Sequence, residues 1–422
     1  MNTKTLYALI GAALIALLAA VFINSSKKPK SDTTAQAQRV LPELRGHVND
    51  ITTITLTGAD NKVLATLKRG ADGWTVAEKA NYPADVAKIR EFLIKLDQAT
   101  LIEQKTSNDK RYADLGVDDV SAKDAKGVQV EIAGLEKPVK MIIGNFNGGG
   151  GGGTFVRRAG DPQSWLANGN LQVARNAADW EKRDLTDIAA TRLKSVTLTN
   201  TDGKVLKAYK DQRTDANFKV ADVPAGREVS SDFVANSLGS VLSNLRADDA
   251  FPAKDMPPPE KVHKAQYAAF DGFVLDVTTW DKDGKDYAQL SASEDEKTAT
   301  AYADAEQAKA KEADAAKAAD AKSADAKSAD ANPADAKPAD AKTETAAADP
   351  AKDRAAKLAA VRKEVDDLNA RFKDWTFVLA PYKYAAINKS PDDFLKPLED
   401  KNAAKKGSAD AKKAPAKKAK SS

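Results

Sequence analysis

The sequence predicts an α+β protein: an N-terminal single transmembrane helix, then two tandem repeats of antiparallel β-hairpins plus a helix, with a low-complexity insert in the second repeat. Three observations predict it. Leu6 to Ile23, "LYALIGAALIALLAAVFI", is an uncharged apolar run of 18 residues. "ITLTGADNKVL", Ile54 to Leu64, returns as "VTLTNTDGKVL", Val196 to Leu206, with seven of eleven positions identical at a constant offset of 142. From Thr298 to Asp349 the chain is almost wholly Ala, Asp, Lys, Glu, Ser and Pro.

The apolar run comes first. As a helix rising about 1.5 Å per residue it spans about 27 Å, close to the roughly 30 Å hydrocarbon layer. A cleaved signal peptide fits less well, since "LAAVFINSSKK" lacks a small-x-small site and the run exceeds an h-region of about 7–15 residues. Absence of cysteine removes disulfides, thiol chemistry and a lipoprotein anchor. The expectation is an uncleaved membrane anchor, Leu6 to Ile23. Lys4 faces Lys27, Lys28 and Lys30 across the run, so charge alone does not orient it.

The repeats follow. Both copies alternate apolar and polar residues through a turn, the pattern of a hairpin with one buried face. Asp202-Gly203 is a favoured hairpin turn, replaced in the first copy by Ala59-Asp60-Asn61. Val86, Ile89, Phe92, Leu93 and Leu96 then recur at helical spacing after Pro83-Ala84-Asp85. Phe233, Leu238, Val241, Leu242 and Leu245 do so after Ser230-Ser231-Asp232. The strand "VQVEI", Val128 to Ile132, aligns with "FVLDV", Phe273 to Val277, and "VKMII", Val139 to Ile143, with "YAQLSA", Tyr287 to Ala292. "TFV" at Thr154 to Val156 aligns with "TFV" at Thr376 to Val378. On that alignment the six glycines Gly148 to Gly153 and the Ala-rich insert occupy the same connection.

The glycine run raises the question of a phosphate loop. Such a loop needs a Lys and a Ser/Thr directly after the glycines, and a helix beyond them. "GGGTFVRR" offers Thr154 but no lysine, and a strand pattern follows. A flexible loop is the expectation; Arg157 and Arg158, as strand neighbours, point to opposite faces.

Within the insert, "SADAK", "SADAN" and "PADAK" recur every five residues, which sustains no helical face, and Pro333 and Pro338 interrupt helix. A mobile zwitterionic loop is expected. Leu358, Val361, Val365, Leu368, Phe372 and Trp375 then mark a helix, read as packing on its own sheet rather than in a coiled coil with a partner. Lys401 to Ser422 hold eight lysines and one aspartate, about +7, against a formal net charge of +4 for the whole chain. The body is thus mildly acidic and the tail basic. Outside the cytoplasm its expected partners are anionic lipid or cell-wall polymer, not nucleic acid. The resulting organisation is an anchor (1–30), a linker (31–45), the first repeat (46–190) and the second (191–293 and 353–400), split by a disordered insert (294–352) and followed by the tail (401–422).

Chemistry is sparse. The chain has two histidines, His47 and His263, in different repeats, with no H-E-x-x-H and no G-x-S-x-G. Carboxylates at Asp114 to Asp119 ("DLGVDD") and Asp248-Asp249 read as solvated turns. The expectation is no enzyme, no catalytic residue, no metal and no cofactor; a hydrolase using paired carboxylates ranks third. Trp74 and Trp375 lie in strand patterns and read as core.

The hairpin "ITLTGADNKVL", Trp74, "YPAD" at Tyr82 to Asp85, "DLGV" at Asp114 to Val117, "IGN" at Ile143 to Asn145 and "SPDDFL" at Ser390 to Leu395 carry a resemblance. The chain resembles a bacterial membrane-anchored family, the domain of unknown function 4340. That resemblance implies a periplasmic accessory subunit held in the bacterial inner membrane through Leu6 to Ile23, because the family often accompanies ABC transporters of the gliding-motility type. It brings no catalytic residues. The function expected is an accessory or scaffold that binds protein in an ABC-type transport complex. The alternative is an envelope polysaccharide or anionic-lipid binder acting through its tail.

Overall fold

The computed structural model describes residues 38–149, 152–325 and 350–396. The expected anchor, most of the five-residue repeats, two of the six glycines and the basic tail lie outside them. The chain divides into two compact units, one ending at Trp180 and one beginning at Glu181.

In the first unit, antiparallel strands β1 (Thr53–Thr57), β2 (Val63–Gly70), β3 (Gly73–Val76), β4 (Tyr82–Pro83), β5 (Leu101–Gln104), β6 (Val128–Ala133), β7 (Val139–Asn147), β8 (Gly153–Arg158) and β9 (Ser164–Asn168) form one sheet in the order 4-3-2-1-6-7-8-9-5. Alternation sets its faces. Ile54, Leu56, Val130, Met141 and Val156 point into a core closed by helix α1 (Val86–Gln98) through Ile89, Phe92, Leu93 and Leu96. Asp85 caps α1 by accepting from the Lys88 amide at 3.0 Å. On the opposite face Ile142 meets Tyr112 and Val117 around the one-turn helix α2 (Tyr112–Leu115).

The second unit holds β10 (Asp184–Thr186), β11 (Leu193–Thr199), β12 (Val205–Tyr209), β13 (Lys219–Val220), β14 (Leu245–Pro252), β15 (His263–Ala269), β16 (Phe273–Lys282), β17 (Lys285–Glu294) and β18 (Trp375–Leu379), ordered 10-14-18-17-16-15-11-12-13. Helix α3 (Asp232–Gly239) buries Ala235 and Leu238 and ends at Gly239, whose missing side chain leaves room for the Phe218 ring; the apolar pattern of Val241 to Leu245 continues as turn and strand rather than helix. Helices α4 (Glu296–Asp325) and α5 (Pro350–Phe372) separate β17 from β18. Helix α6 (Pro381–Ile387) follows β18 and is tied to the turn after α3 by the Lys383 ammonium, which donates to the Val241 and Ser243 carbonyls at 2.8 Å each.

The expected α+β class is corrected. The described residues are dominated by two nine-stranded antiparallel sheets with few helices, and none of their helices is long and apolar enough to cross a membrane. A hairpin-plus-helix unit underestimated the strands because short pieces such as β4, β5 and β10 carry too few residues to show a period. The transmembrane helix assigned to Leu6–Ile23 falls outside the described residues and has no support in this fold.

The strand alignment between repeats is also corrected. Starting at the hairpin edge, eight strands follow one order in both sheets: 3-2-1-6-7-8-9-5 and 13-12-11-15-16-17-18-14. β6 therefore corresponds to β15, not to β16 as "VQVEI" against "FVLDV" suggested. The glycine run links β7 to β8, matching the Asp283-Gly284 turn between β16 and β17. The insert links β17 to β18, matching the five residues between β8 and β9. The two expansions thus occupy different connections; the shared tripeptide "TFV" misled the pairing.

The expected disorder from 294 to 352 is corrected in part, since 296–325 is helix. Asp295 caps it, accepting from the Thr298 amide at 3.1 Å and hydroxyl at 2.6 Å, and Ala299 and Ala303 are buried. Alanine is the strongest helix former, and a packed first turn supplies the nucleus that an isolated segment lacks. Helix α5 packs on β17 and α4 through Val361, Leu368 and Phe372, as its apolar stripe suggested.

Candidate functional site

The residues singled out from sequence scatter. His47 is exposed and pairs with Asp50 at 2.8 Å; His263, in β15, lies in the other unit with its Nδ1 3.4 Å from Asn200 Oδ1. Burial lowers the His263 pKa, opposed by Asp281 and Asp202. Among the described residues no three His, Cys, Asp or Glu side chains converge as a metal site. In "DLGVDD", Asp119 accepts from Arg157 at 2.6 Å and Asp114 lies 3.9 Å from Arg111. Asp249 accepts its neighbour's amide, Ala250, at 2.9 Å. Facing carboxylates occur elsewhere, at Asp281 and Asp286 across β16 and β17, where burial and then Asp281 raise the Asp286 pKa. Trp74 and Trp375 are partly buried.

Two of the family-like motifs, "DLGV" and "IGN", meet each other instead. Gly116 of "DLGV" takes φ +69° and lies against Asn145 of "IGN", whose amide donates to the Asp114 carbonyl at 3.3 Å. A Cβ on Gly144 would run into the Leu115 carbonyl oxygen, and one on Gly127 into that of Gly116. These glycines let the turn after α2 lie directly on β7. "YPAD" buries Tyr82 and caps α1; "SPDDFL" forms a capping box between Ser390 and Asp393 and buries Phe394.

Arg157 and Arg158 do point to opposite faces. Arg157 is 3% exposed: Nε donates to the Val117 carbonyl at 2.9 Å, Nη1 to Asp161 O at 3.0 Å, and its guanidinium stacks 4.5 Å from the Tyr112 ring centroid. It fastens the loop after α2 to the sheet. Thr154 is buried too, donating to Gly169 O at 2.8 Å and accepting the Leu171 amide at 3.0 Å. The glycine run ahead of it serves a hairpin connection.

Arg158 lines two open cavities of the first unit, of about 790 and 300 Å³. The two cavities share Pro42 and Arg158 in their lining; in the 3-10 turn Pro42–Leu44, Leu44 and the preceding Leu41 bury into the core, leaving Glu43 on the rim. Both Glu43 oxygens accept from Arg158, at 2.7 and 2.8 Å, in a two-pronged pair about 40% exposed on each side. The guanidinium holds the Glu43 pKa below its ordinary value, and Glu43 raises that of Arg158. The larger cavity is edged by Arg45, His47, Lys137 and Lys140; Arg45 and Lys137 have no ion pair among the described residues. The smaller is floored by Leu101, Met141, Val156 and Trp165. Sequence reasoning set Arg157 and Arg158 on opposite faces, assigned neither a ligand, and missed Glu43; the signal was the Leu41–Leu44 spacing, which leaves Glu43 facing out.

Fold and site together define a tandem antiparallel-sheet protein whose first unit presents an open groove, richer in cations at one end and of mixed polar and apolar character at the other. Residues 74–265 match the family described as "Domain of unknown function (DUF4340)", and the chain carries that domain. The match begins at Trp74 in β3 and ends at Ala265 in β15, so it runs across the division between the units. No curated protein and no solved structure matches the chain.

Proposed function

We propose that this protein acts by binding another protein, without a reaction of its own, as a periplasmic accessory or scaffold of an ABC-type transport complex. The observation that supports it is the groove around Arg158: open, mixed in charge and apolar character, and offering an arginine fork, a frequent feature of protein interfaces. The transporter and the compartment come from the family resemblance. A rival reading, binding of envelope polysaccharide or anionic lipid, draws on the eight lysines of Lys401 to Ser422.

Brief crosslinking in cells, gentle solubilisation and identification of what co-purifies with the tagged protein separate the two. Stoichiometric ABC transporter subunits, retained after deletion of Lys401 to Ser422, are the expected outcome. Recovery of no transporter, together with tail-dependent binding to isolated envelope polymer, would sink the accessory reading.

A further inference from the structure

We propose that the groove of the first unit is a docking site for an acidic, extended peptide segment, whose carboxylate takes the place of Glu43 on Arg158. The inference rests on the protein-binding reading above and deepens it by naming the partner's chemistry.

Three features carry it. First, the Arg158 fork already holds a carboxylate, with one Glu43 oxygen on each terminal nitrogen. This two-pronged geometry suits a planar carboxylate. Second, the resident carboxylate is exchangeable. Glu43 is about 40% exposed and sits on a short turn anchored by Leu41 and Leu44, so its side chain can swing out while the backbone stays. Exposed pairs of this kind contribute little to stability, so opening one is cheap.

Third, the two ends of the groove ask for different groups. Beyond Arg158 on one side stand Arg45 and Lys137, both without an ion pair among the described residues, against one carboxylate, Glu136; once Glu43 swings out the cations exceed the anions, which suits further negative charge. On the other side the partly exposed Leu101 and Trp165, over the buried Met141 and Val156, give an apolar patch among polar side chains. A segment that alternates carboxylate and apolar side chains satisfies both ends. A uronic-acid polymer would match the charge but leave the apolar patch uncovered.

In this arrangement Glu43 is a built-in competitor, which gives the proposal a consequence of unusual sign. Removing Glu43 should tighten an acidic peptide, since the free state no longer has to give up its own contact with Arg158.

The test measures fluorescence anisotropy of a dansylated Glu-Leu-Glu-Leu-Glu peptide with the full-length chain, beside the Gln-Leu-Gln-Leu-Gln analogue and polygalacturonate as competitor. The expected result is binding of the Glu peptide alone, tightened about threefold by Glu43→Ala on the scale of one exposed pair. Arg158→Gln should weaken it at least about tenfold, as loss of a charge-assisted two-pronged contact implies. Should Arg158→Gln fail to fold, the Arg45→Glu, Lys137→Glu double variant replaces it and should weaken binding in the same sense. Unchanged or weaker binding by Glu43→Ala, equal binding of the Gln peptide, or displacement by polygalacturonate at lower concentration than by unlabelled Glu peptide overturns the proposal. The two readings fail separately. Loss of transporter co-purification with the peptide behaviour intact removes the transport reading and leaves the groove assignment standing.

Discussion

Arg157 and Arg158 are neighbours with unlike environments, and strand alternation makes the difference. Arg157 is buried and fully engaged, so Arg157→Met strands the Val117 and Asp161 carbonyls and should lower unfolding free energy by about 3 kcal/mol, read as a shifted urea midpoint. Gly144→Ala should destabilise by about 1–3 kcal/mol for a different cause, overpacking against the Leu115 carbonyl. His263 gives a pH dependence. Its folded pKa lies below 6.5, so on acidification the unfolded chain takes up the proton first. Stability should therefore fall as pH drops below about 6.5, until the folded value is reached, and His263→Gln should flatten that slope in denaturation measured from pH 7.5 to 5. The opposite faces of the two arginines were legible in the sequence, because period two is local. The partners were not: Glu43 lies 115 positions from Arg158, and no local pattern encodes a contact at that distance.

At the scale of elements, long hairpins and capped helices were the legible parts. The duplicated hairpin appears as β1–β2 and β11–β12, and Asp85 caps α1 where "YPAD" placed a helix start. The composition of 294–352 misled for a physical reason. Alanine-rich sequence is poised between coil and helix, and what decides is whether something nucleates it. Here the Asp295 cap and the burial of Ala299 and Ala303 do so, none of which is visible as a periodic apolar stripe. α5 was read correctly because large side chains mark its face. Leu368→Ala, at a site 8% exposed, should cost about 2–4 kcal/mol and appear as a lower midpoint in denaturation of the full chain. Asp295→Ala should remove about 1 kcal/mol of capping and lower helicity by circular dichroism, with the sheet signal unchanged.

At the scale of the molecule, repetition was legible and its register was not. Seven identities in eleven residues announced two related units, and both sheets share an eight-strand order. The misalignment by one strand arose because β-strands of similar composition are interchangeable to the eye, while only hydrogen-bonded neighbours fix which is which. Each unit has its own nine-stranded sheet, and the first gathers its core from residues 40–180. Residues 38–180 expressed alone should therefore fold, giving a β-type circular dichroism spectrum and one cooperative urea transition. A non-cooperative melt would show that the first unit depends on the rest of the chain.

The eighty-residue excursion between β17 and β18 has a consequence for how the protein is made. β18 fills the gap between β17 and β14, so until it arrives both present bare edges. In the first unit β9 follows β8 after five residues. Loop-closure entropy alone adds only about 2.5 kcal/mol for a link sixteen times longer. The larger penalty is time, because distant pairings form slowly. During that wait, two unpaired edges can recruit strands from other chains. The second unit should refold more slowly than the first after dilution from urea. Its refolding yield should fall as protein concentration rises, because the late strand leaves the second unit open to pairing between chains.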